Sequence, residues 1–163
     1  MILRSLIGAA CAALALVGSA PVSAGPLAPA KPSQIVTIDN GNGTACPVVG
    51  KALDSQILPD SSRKPFVIPP KTVLVITEVG WGAVAAQAGK ATGIVLTTQA
   101  AGEQTTSAFF LDSAVADSTG FASKNNLVAN ATVSADRTLC VHPTGSGGGT
   151  LTVIVRGFLT KAK

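Results

Sequence analysis

The sequence predicts an all-β protein, a single antiparallel β-sandwich that is jelly-roll-like and carries one disulfide. Short runs rich in Val, Ile, Leu, Phe and Thr recur at fairly even spacing, and turns rich in Gly, Pro, Asn and Ser separate them. No long segment shows the 3.6-residue apolar period of an amphipathic helix. Together these features are typical of two packed antiparallel sheets.

The first 24 residues have the composition of a cleavable signal peptide. Arg4 supplies a positive charge, residues 6–17 form an apolar stretch, and residues 22–24 have the small-residue spacing that signal peptidase accepts. The apolar stretch is short for a membrane span, so we expect none after cleavage, with an uncleaved anchor as the alternative. We expect a secreted protein, extracellular or periplasmic, and the Ala-rich segment favours a bacterial source.

Residues 25–33 are rich in Pro and Ala and predict a flexible spacer, and residues 34–163 form the predicted β-sandwich domain. Cys46 and Cys140 are the two cysteines that remain after signal cleavage. An even pair in an oxidising compartment predicts a disulfide, with two free buried thiols as the alternative. The bond would tie the start of the domain to its penultimate strand.

The clearest strand spans residues 72–81, and its first half is apolar on both faces. Its second half alternates, which places Thr77, Val79 and Trp81 on one side and Glu78 on the other. A short helix is expected near residues 83–88. Further strands are predicted at 35–38, 93–98, 107–112, 127–133, 138–142 and 150–160.

Three stretches carry a resemblance to a known group of proteins. They are residues 68–79 (IPPKTVLVITEV), 139–141 (LCV) and 155–159 (VRGFL). This pattern resembles one found in uncharacterised secreted bacterial β-sandwich proteins of the jelly-roll-like type. The three stretches cover a minor part of the chain and consist mainly of strand and turn residues. The resemblance therefore implies a fold, and it implies no catalytic residue.

The charge distribution argues against a nucleic-acid partner. The chain has 12 Lys and Arg against 8 Asp and Glu, but the basic residues are scattered. Phosphate neutralisation needs clustered cations, so no nucleic-acid binding is expected. A weak affinity for anionic surfaces is the alternative.

No metal or other cofactor is expected. Zinc needs three or four converging ligands, whereas the chain has one histidine and a pair of cysteines that we expect to be oxidised. Residues 39–43 superficially resemble a calcium loop, but Gly41 and Gly50 stand where ligands are required, which favours a flexible turn. Asp112 and Asp117 could share an ion, although their spacing does not require it.

Two residues are candidates for catalysis. His142 is the only histidine, but Ser146 lacks the first glycine of a nucleophile elbow, and a strand rather than a helix follows. Glycoside hydrolysis needs two carboxylates that flank a sugar, and Glu78 and Glu103 are the only glutamates. We expect no catalytic residue, with a small secreted hydrolase (glycoside or ester) that uses Glu78 or His142 as the alternative.

Trp81 is the candidate binding residue. The neighbouring glycines Gly80 and Gly82 could leave its ring faces open to stack on a sugar or on a partner's apolar surface. Core packing is the favoured alternative.

The sequence as a whole predicts a secreted, non-catalytic module that is structural, adhesive or ligand-binding at the cell exterior. Its ligand or surface partner is not identified by any motif. A homo-oligomer that assembles through sheet faces is also expected, with Leu74, Ile76 or Phe158 at the contact.

Overall fold

The computed structural model describes residues 28–162. The predicted signal peptide, residues 1–24, lies outside the described residues. The described chain begins its regular structure with a three-residue 3-10 turn, Pro32–Gln34, and continues into β-strands. These are β1 (Ile35–Asp39), β2 (Lys51–Ala52), β3 (Ser55–Ile57), β4 (Arg63–Pro65), β5 (Thr72–Val84), β6 (Ala91–Ala100), β7 (Ser107–Val115), β8 (Ala122–Ser134), β9 (Arg137–Gly145) and β10 (Thr150–Lys161).

The strands form two antiparallel sheets, which confirms the predicted fold class. Sheet A has the order β4-β3-β1-β10-β5-β8, and sheet B has the order β2-β9-β6-β7. Four pairs are nested along the chain: β1 with β10, β2 with β9, β5 with β8, and β6 with β7. Nested pairs are the pattern of one long hairpin, and here that hairpin is rolled so that β10 also meets β5 and β9 meets β6. This is a jelly roll, to which β3 and β4 add a short hairpin at the edge of sheet A.

The core lies between the two sheets. Sheet A contributes Ile38 and Val79 and sheet B contributes Ile94 and Leu96, all of them fully buried. Each such side chain contributes about 1.5–3 kcal/mol through burial. The first half of β5 is buried on both faces, as its continuous apolar run predicts.

A bulge at Thr77 changes the predicted alternation of β5. The register of β5 against both neighbouring strands skips this residue, so Thr77 is exposed instead of sharing the core face with Val79. Its hydroxyl donates to the Arg156 carbonyl, 3.2 Å away. Next along β10, a Cβ on Gly157 would lie 2.1 Å from the Val75 carbonyl oxygen, so the bulge requires glycine at this position.

The expected helix near residues 83–88 is wrong. Strand β5 continues to Val84, and Ala83 is fully buried between Leu151 and Ala122 on the adjacent strands. Ala85 then has a positive φ of 56°, which is incompatible with a helix. Burial in the sheet therefore overrides the helix propensity of an Ala-rich segment.

The predicted disulfide is present and fastens the β1–β2 loop onto the outer face of sheet B. Cys46 in this loop is bonded to Cys140 in β9, with 6.2 Å between their Cα atoms. A second attachment lies on the adjacent strand β6, where the fully buried Gln99 accepts a hydrogen bond from the Val48 N–H (2.8 Å). The Gln99 amide also donates to the Val49 carbonyl at 2.9 Å. One covalent bond and two hydrogen bonds thus attach residues 46–49 of the loop to sheet B.

The chain is anchored to the sandwich before β1 begins. The turn Pro32–Gln34 includes the last residues of the predicted spacer. Gln34 accepts a hydrogen bond from the Lys31 N–H and donates one to the Leu159 carbonyl in β10. Between residues 28 and 162, no helix has the length and apolar character needed to cross a membrane.

Candidate functional site

A pocket of about 420 Å³ opens at one end of the sandwich. The β1–β2 loop, the segment before β5 and the β8–β9 turn surround it. The buried side chains of Ile38, Leu74 and Leu139 lie deepest, whereas Phe66 is half-buried and Val67 is exposed. The volume lies within the range of about 300–1,000 Å³ that is usual for small-molecule sites, which are mostly apolar.

An extended segment that ends at two prolines forms one wall of the pocket. Residues 66–68 run extended beside the sandwich, and the Phe66 N–H donates to the Asp54 carbonyl at 2.7 Å. Pro69 and Pro70 follow, and neither can donate to a strand ladder. Residues 66–68 lie outside both sheets and form one wall of the pocket.

A few polar groups line this apolar pocket. Asp54 Oδ1 is buried and lacks a hydrogen-bond partner within the described part of the chain. Arg137 makes two hydrogen bonds to the Glu103 carboxylate, at 2.9 and 3.2 Å. A mostly apolar lining with few polar groups is the composition expected of a ligand site.

Trp81 lies in the core, with 4 % of its surface exposed. Its indole Nε1 donates to Asp112 Oδ2 at 2.8 Å. Trp81 therefore packs in the core, as the favoured alternative predicts. The expectation that its flanking glycines leave the ring faces open is wrong. Gly80 and Gly82, together with Trp81 itself, line a groove of about 250 Å³ beside Asn125. A binding role for Trp81 stays a prediction, without an exposed ring face to support it.

Asp112 is a structurally important residue that the sequence does not reveal. Its carboxylate accepts hydrogen bonds from Trp81, from Asn126 (2.8 Å) and from Lys124 (3.0 Å). Partial burial by itself raises the pKa of Asp112, but these three hydrogen bonds outweigh it and lower the pKa below its usual value. The donors lie on β5 and β8, so no local motif marks the cluster.

The carboxylates of Asp112 and Asp117 accept hydrogen bonds from different donors. The Asp117 carboxylate accepts hydrogen bonds from the Thr119 hydroxyl (2.7 Å) and from the backbone N–H groups of Thr119 and Phe121 (2.8 and 3.0 Å). The Thr119 hydroxyl, followed by these N–H groups, lowers the pKa of Asp117. In residues 28–162, no group of three or more His, Cys, Asp or Glu side chains is placed to hold a metal ion.

The candidate catalytic residues are not brought together. Glu78 forms an ion pair with Arg156 across β5 and β10 of sheet A. His142 lies half-buried on β9 of sheet B, beside a separate depression of about 280 Å³ that Gly50 and Lys51 also line. Neither Glu78 nor His142 lines the pocket at the end of the sandwich.

The residues expected at a contact between copies do not reach the surface. Leu74 and Ile76 are fully buried in the core, and Phe158 is 3 % exposed. The expectation that these three side chains lie at an oligomer contact is therefore wrong, because a continuous apolar run marks burial inside the sandwich equally well.

Comparison with known proteins does not assign a function to this pocket. The chain matches no protein-family model, no curated protein and no solved structure.

Proposed function

We propose that this protein is a secreted, non-catalytic β-sandwich module that binds a small apolar ligand at the cell exterior. The pocket at the end of the sandwich is the proposed binding site. Export is supported by the signal-like composition of residues 1–24 and by the disulfide, which suits an oxidising compartment.

The apolar pocket is the observation that carries this proposal. Core side chains form its deepest part, so a bound apolar group would extend the hydrophobic core and lose contact with water. Its volume suits a molecule of modest size.

The disulfide supports the site by holding its rim. Pro47 follows Cys46 in the chain, Leu139 precedes Cys140, and both Pro47 and Leu139 line the pocket. A covalent bond at the rim reduces the ordering cost of binding, because the loop is already in place before the ligand arrives.

Three carboxylates, which include those of both glutamates, support a non-catalytic role because they already have cationic partners. Glu78 pairs with Arg156, Glu103 with Arg137, and the buried Asp39 with Arg63 at 2.9 Å. An active site needs titratable groups that converge on one cavity, with at least one free to transfer a proton. The hydrolase alternative, with Glu78 or His142, stays a prediction.

Binding of the neutral fluorophore N-phenyl-1-naphthylamine tests the proposal. We expect a saturable rise in its fluorescence with the wild-type protein. Ala101→Phe places a ring in the pocket and should weaken binding about tenfold or more, a loss of about 1.4 kcal/mol. Ala129→Phe, at an exposed position of β8, is the matched control and should bind like the wild type.

Two results would overturn the proposed site. One is the absence of saturable binding by the folded wild-type protein. The other is equal affinity of the Ala101→Phe and Ala129→Phe variants, with both folded by circular dichroism.

A further inference from the structure

The charged side chains that line the pocket at the end of the sandwich leave it with a negative charge. Among the described residues they are Asp54, Asp136 and Arg137. Arg137 is neutralised by Glu103, whose carboxylate accepts hydrogen bonds from the guanidinium at 2.9 and 3.2 Å. Asp54 and Asp136 form no ion pair within residues 28–162. The pocket therefore has two uncompensated carboxylates and no free cation among its described residues.

The Asp54 carboxylate receives no hydrogen bond from the protein at its buried oxygen. Oδ1 has no donor in the part of the chain that the structure describes. The nearby donors are used by the backbone of the same residue, because the Phe66 N–H (2.7 Å) and the Asn42 side-chain amide (3.2 Å) both donate to the Asp54 carbonyl. A buried carboxylate oxygen without a donor is unfavourable, so a donor that a ligand supplies would be bound strongly.

A ligand can reach the Asp54 carboxylate from the pocket. The residue as a whole is half-buried, and it lines the pocket. The last torsion of an aspartate side chain has broad, two-fold wells, so a small rotation presents either oxygen to a donor. A protonated amine is the best-matched donor, since hydrogen bonds between two charged groups are shorter and stronger than those between neutral groups.

The pocket wall next to Asp54 also favours a cation. Phe66 is half-buried and lines the pocket, and its backbone hydrogen bond to Asp54 makes the two residues neighbours in this wall. The face of an aromatic ring attracts a positive charge. The buried side chains of Ile38, Leu74 and Leu139 leave an apolar interior for the rest of a ligand.

We infer, on the basis of the proposed function, that the ligand of this pocket is an organic cation with an apolar body and a protonated amine. The amine pairs with the Asp54 carboxylate, and the apolar body packs against Leu74 and Leu139. The exposed Asp136 adds attraction at longer range. An anionic amphiphile is disfavoured, because two carboxylates repel it and Arg137 is already paired.

Three naphthalene compounds of similar size and different charge test this inference. They are 1-naphthylmethylamine, a cation at neutral pH, the neutral 1-naphthalenemethanol, and the anion 1-naphthoate. Isothermal titration calorimetry measures the affinity of the wild-type protein for each. We expect the amine to bind about tenfold more tightly than the alcohol, a difference of about 1.4 kcal/mol. The naphthoate should bind most weakly of the three.

Asp54→Asn tests the role of the carboxylate, because it keeps the shape of the side chain and removes its charge. We expect the ratio of the amine affinity to the alcohol affinity to fall to about one, the loss of the tenfold preference. The ratio is the readout, since a general loss of affinity cancels in it. Asp60→Asn, at an exposed position outside the pocket, is the matched control and should keep the wild-type ratio.

The outcomes separate this inference from the proposed function. A wild-type protein that binds the amine no more tightly than the alcohol or the naphthoate would overturn the inference. The same ratio in folded Asp54→Asn and Asp60→Asn would also overturn it. Both results leave the proposed function standing if the wild-type protein binds N-phenyl-1-naphthylamine saturably, whereas the absence of that binding overturns the proposed function itself.

Discussion

The indole nitrogen of Trp81 lies 2.8 Å from Oδ2 of Asp112, which belongs to the opposite sheet. This hydrogen bond joins β5 to β7 across the edge of the sandwich. It satisfies the indole N–H in a buried position, and Lys124 balances the charge of the carboxylate. One polar contact therefore allows the ring to be buried and keeps the negative charge of Asp112 off the outer surface of β7.

Asp112→Asn should change how stability depends on pH. Because hydrogen bonding lowers the folded-state pKa of Asp112, its contribution is fully present above the ordinary aspartate pKa of about 3.9 and is lost as the pH falls through the lowered value. We expect the variant to be less stable than the wild type at neutral pH and the difference to shrink in acid. Urea unfolding at a series of pH values, followed by Trp81 fluorescence, measures the free energy of unfolding of both proteins. A difference that does not vary with pH would argue against the carboxylate's role.

Trp81→Phe should destabilise the fold by about 3 kcal/mol. The substitution removes a hydrogen bond to a charged group and leaves space in the core. Chemical unfolding followed by circular dichroism measures the loss.

Acrylamide quenching of the wild-type protein tests the burial of Trp81 separately. Acrylamide should quench native Trp81 fluorescence far less than unfolded Trp81 fluorescence, and equal quenching of the two states would contradict burial of the ring.

The paired substitution Cys46→Ala with Cys140→Ala should lower the free energy of unfolding by about 4–5 kcal/mol. The bond spans 94 residues of sequence, and the entropy of closing such a loop in the unfolded chain gives this magnitude. Urea unfolding of the oxidised wild type and of the variant provides the comparison. Thiols that titrate in the native wild-type protein without a reductant would disprove the bond.

Gln99→Ala should loosen the β1–β2 loop and cost about 2–3 kcal/mol. The variant leaves the Val48 N–H and the Val49 carbonyl without their side-chain partner. Hydrogen exchange at Val48 should accelerate, and urea unfolding gives the cost. Gln104→Ala, at an exposed position, is the matched control and should change neither quantity. Unchanged exchange at Val48 would show that the Gln99 side chain does not hold this part of the loop.

Much of the fold could be predicted because its signals are local. Alternation with period two identifies the long strands, and the cysteine pair identifies the disulfide. Strand order could not be predicted, since alternation assigns faces and not neighbours. Strands of two or three residues, such as β2, are too short to alternate, and the bulge at Thr77 depends on its partners in β8 and β10.

The candidate site could not be predicted, because its parts are distant in sequence. Ile38 and Leu139 meet in the pocket only after the chain has rolled up. Whether the Trp81 ring is buried or exposed could not be predicted for a related reason. Its burial depends on Asp112, 31 residues away, whereas its flanking glycines face outward and give no information about the ring.

Amide chemical-shift mapping locates the binding site most directly. A ¹⁵N-labelled sample of the disulfide-bonded domain is titrated with N-phenyl-1-naphthylamine. We predict saturable shifts at Leu53, Phe66 and Leu139, which line the pocket, and little change at His142. Shifts confined to the surroundings of His142, or spread evenly over the domain, would contradict a binding site at the end of the sandwich.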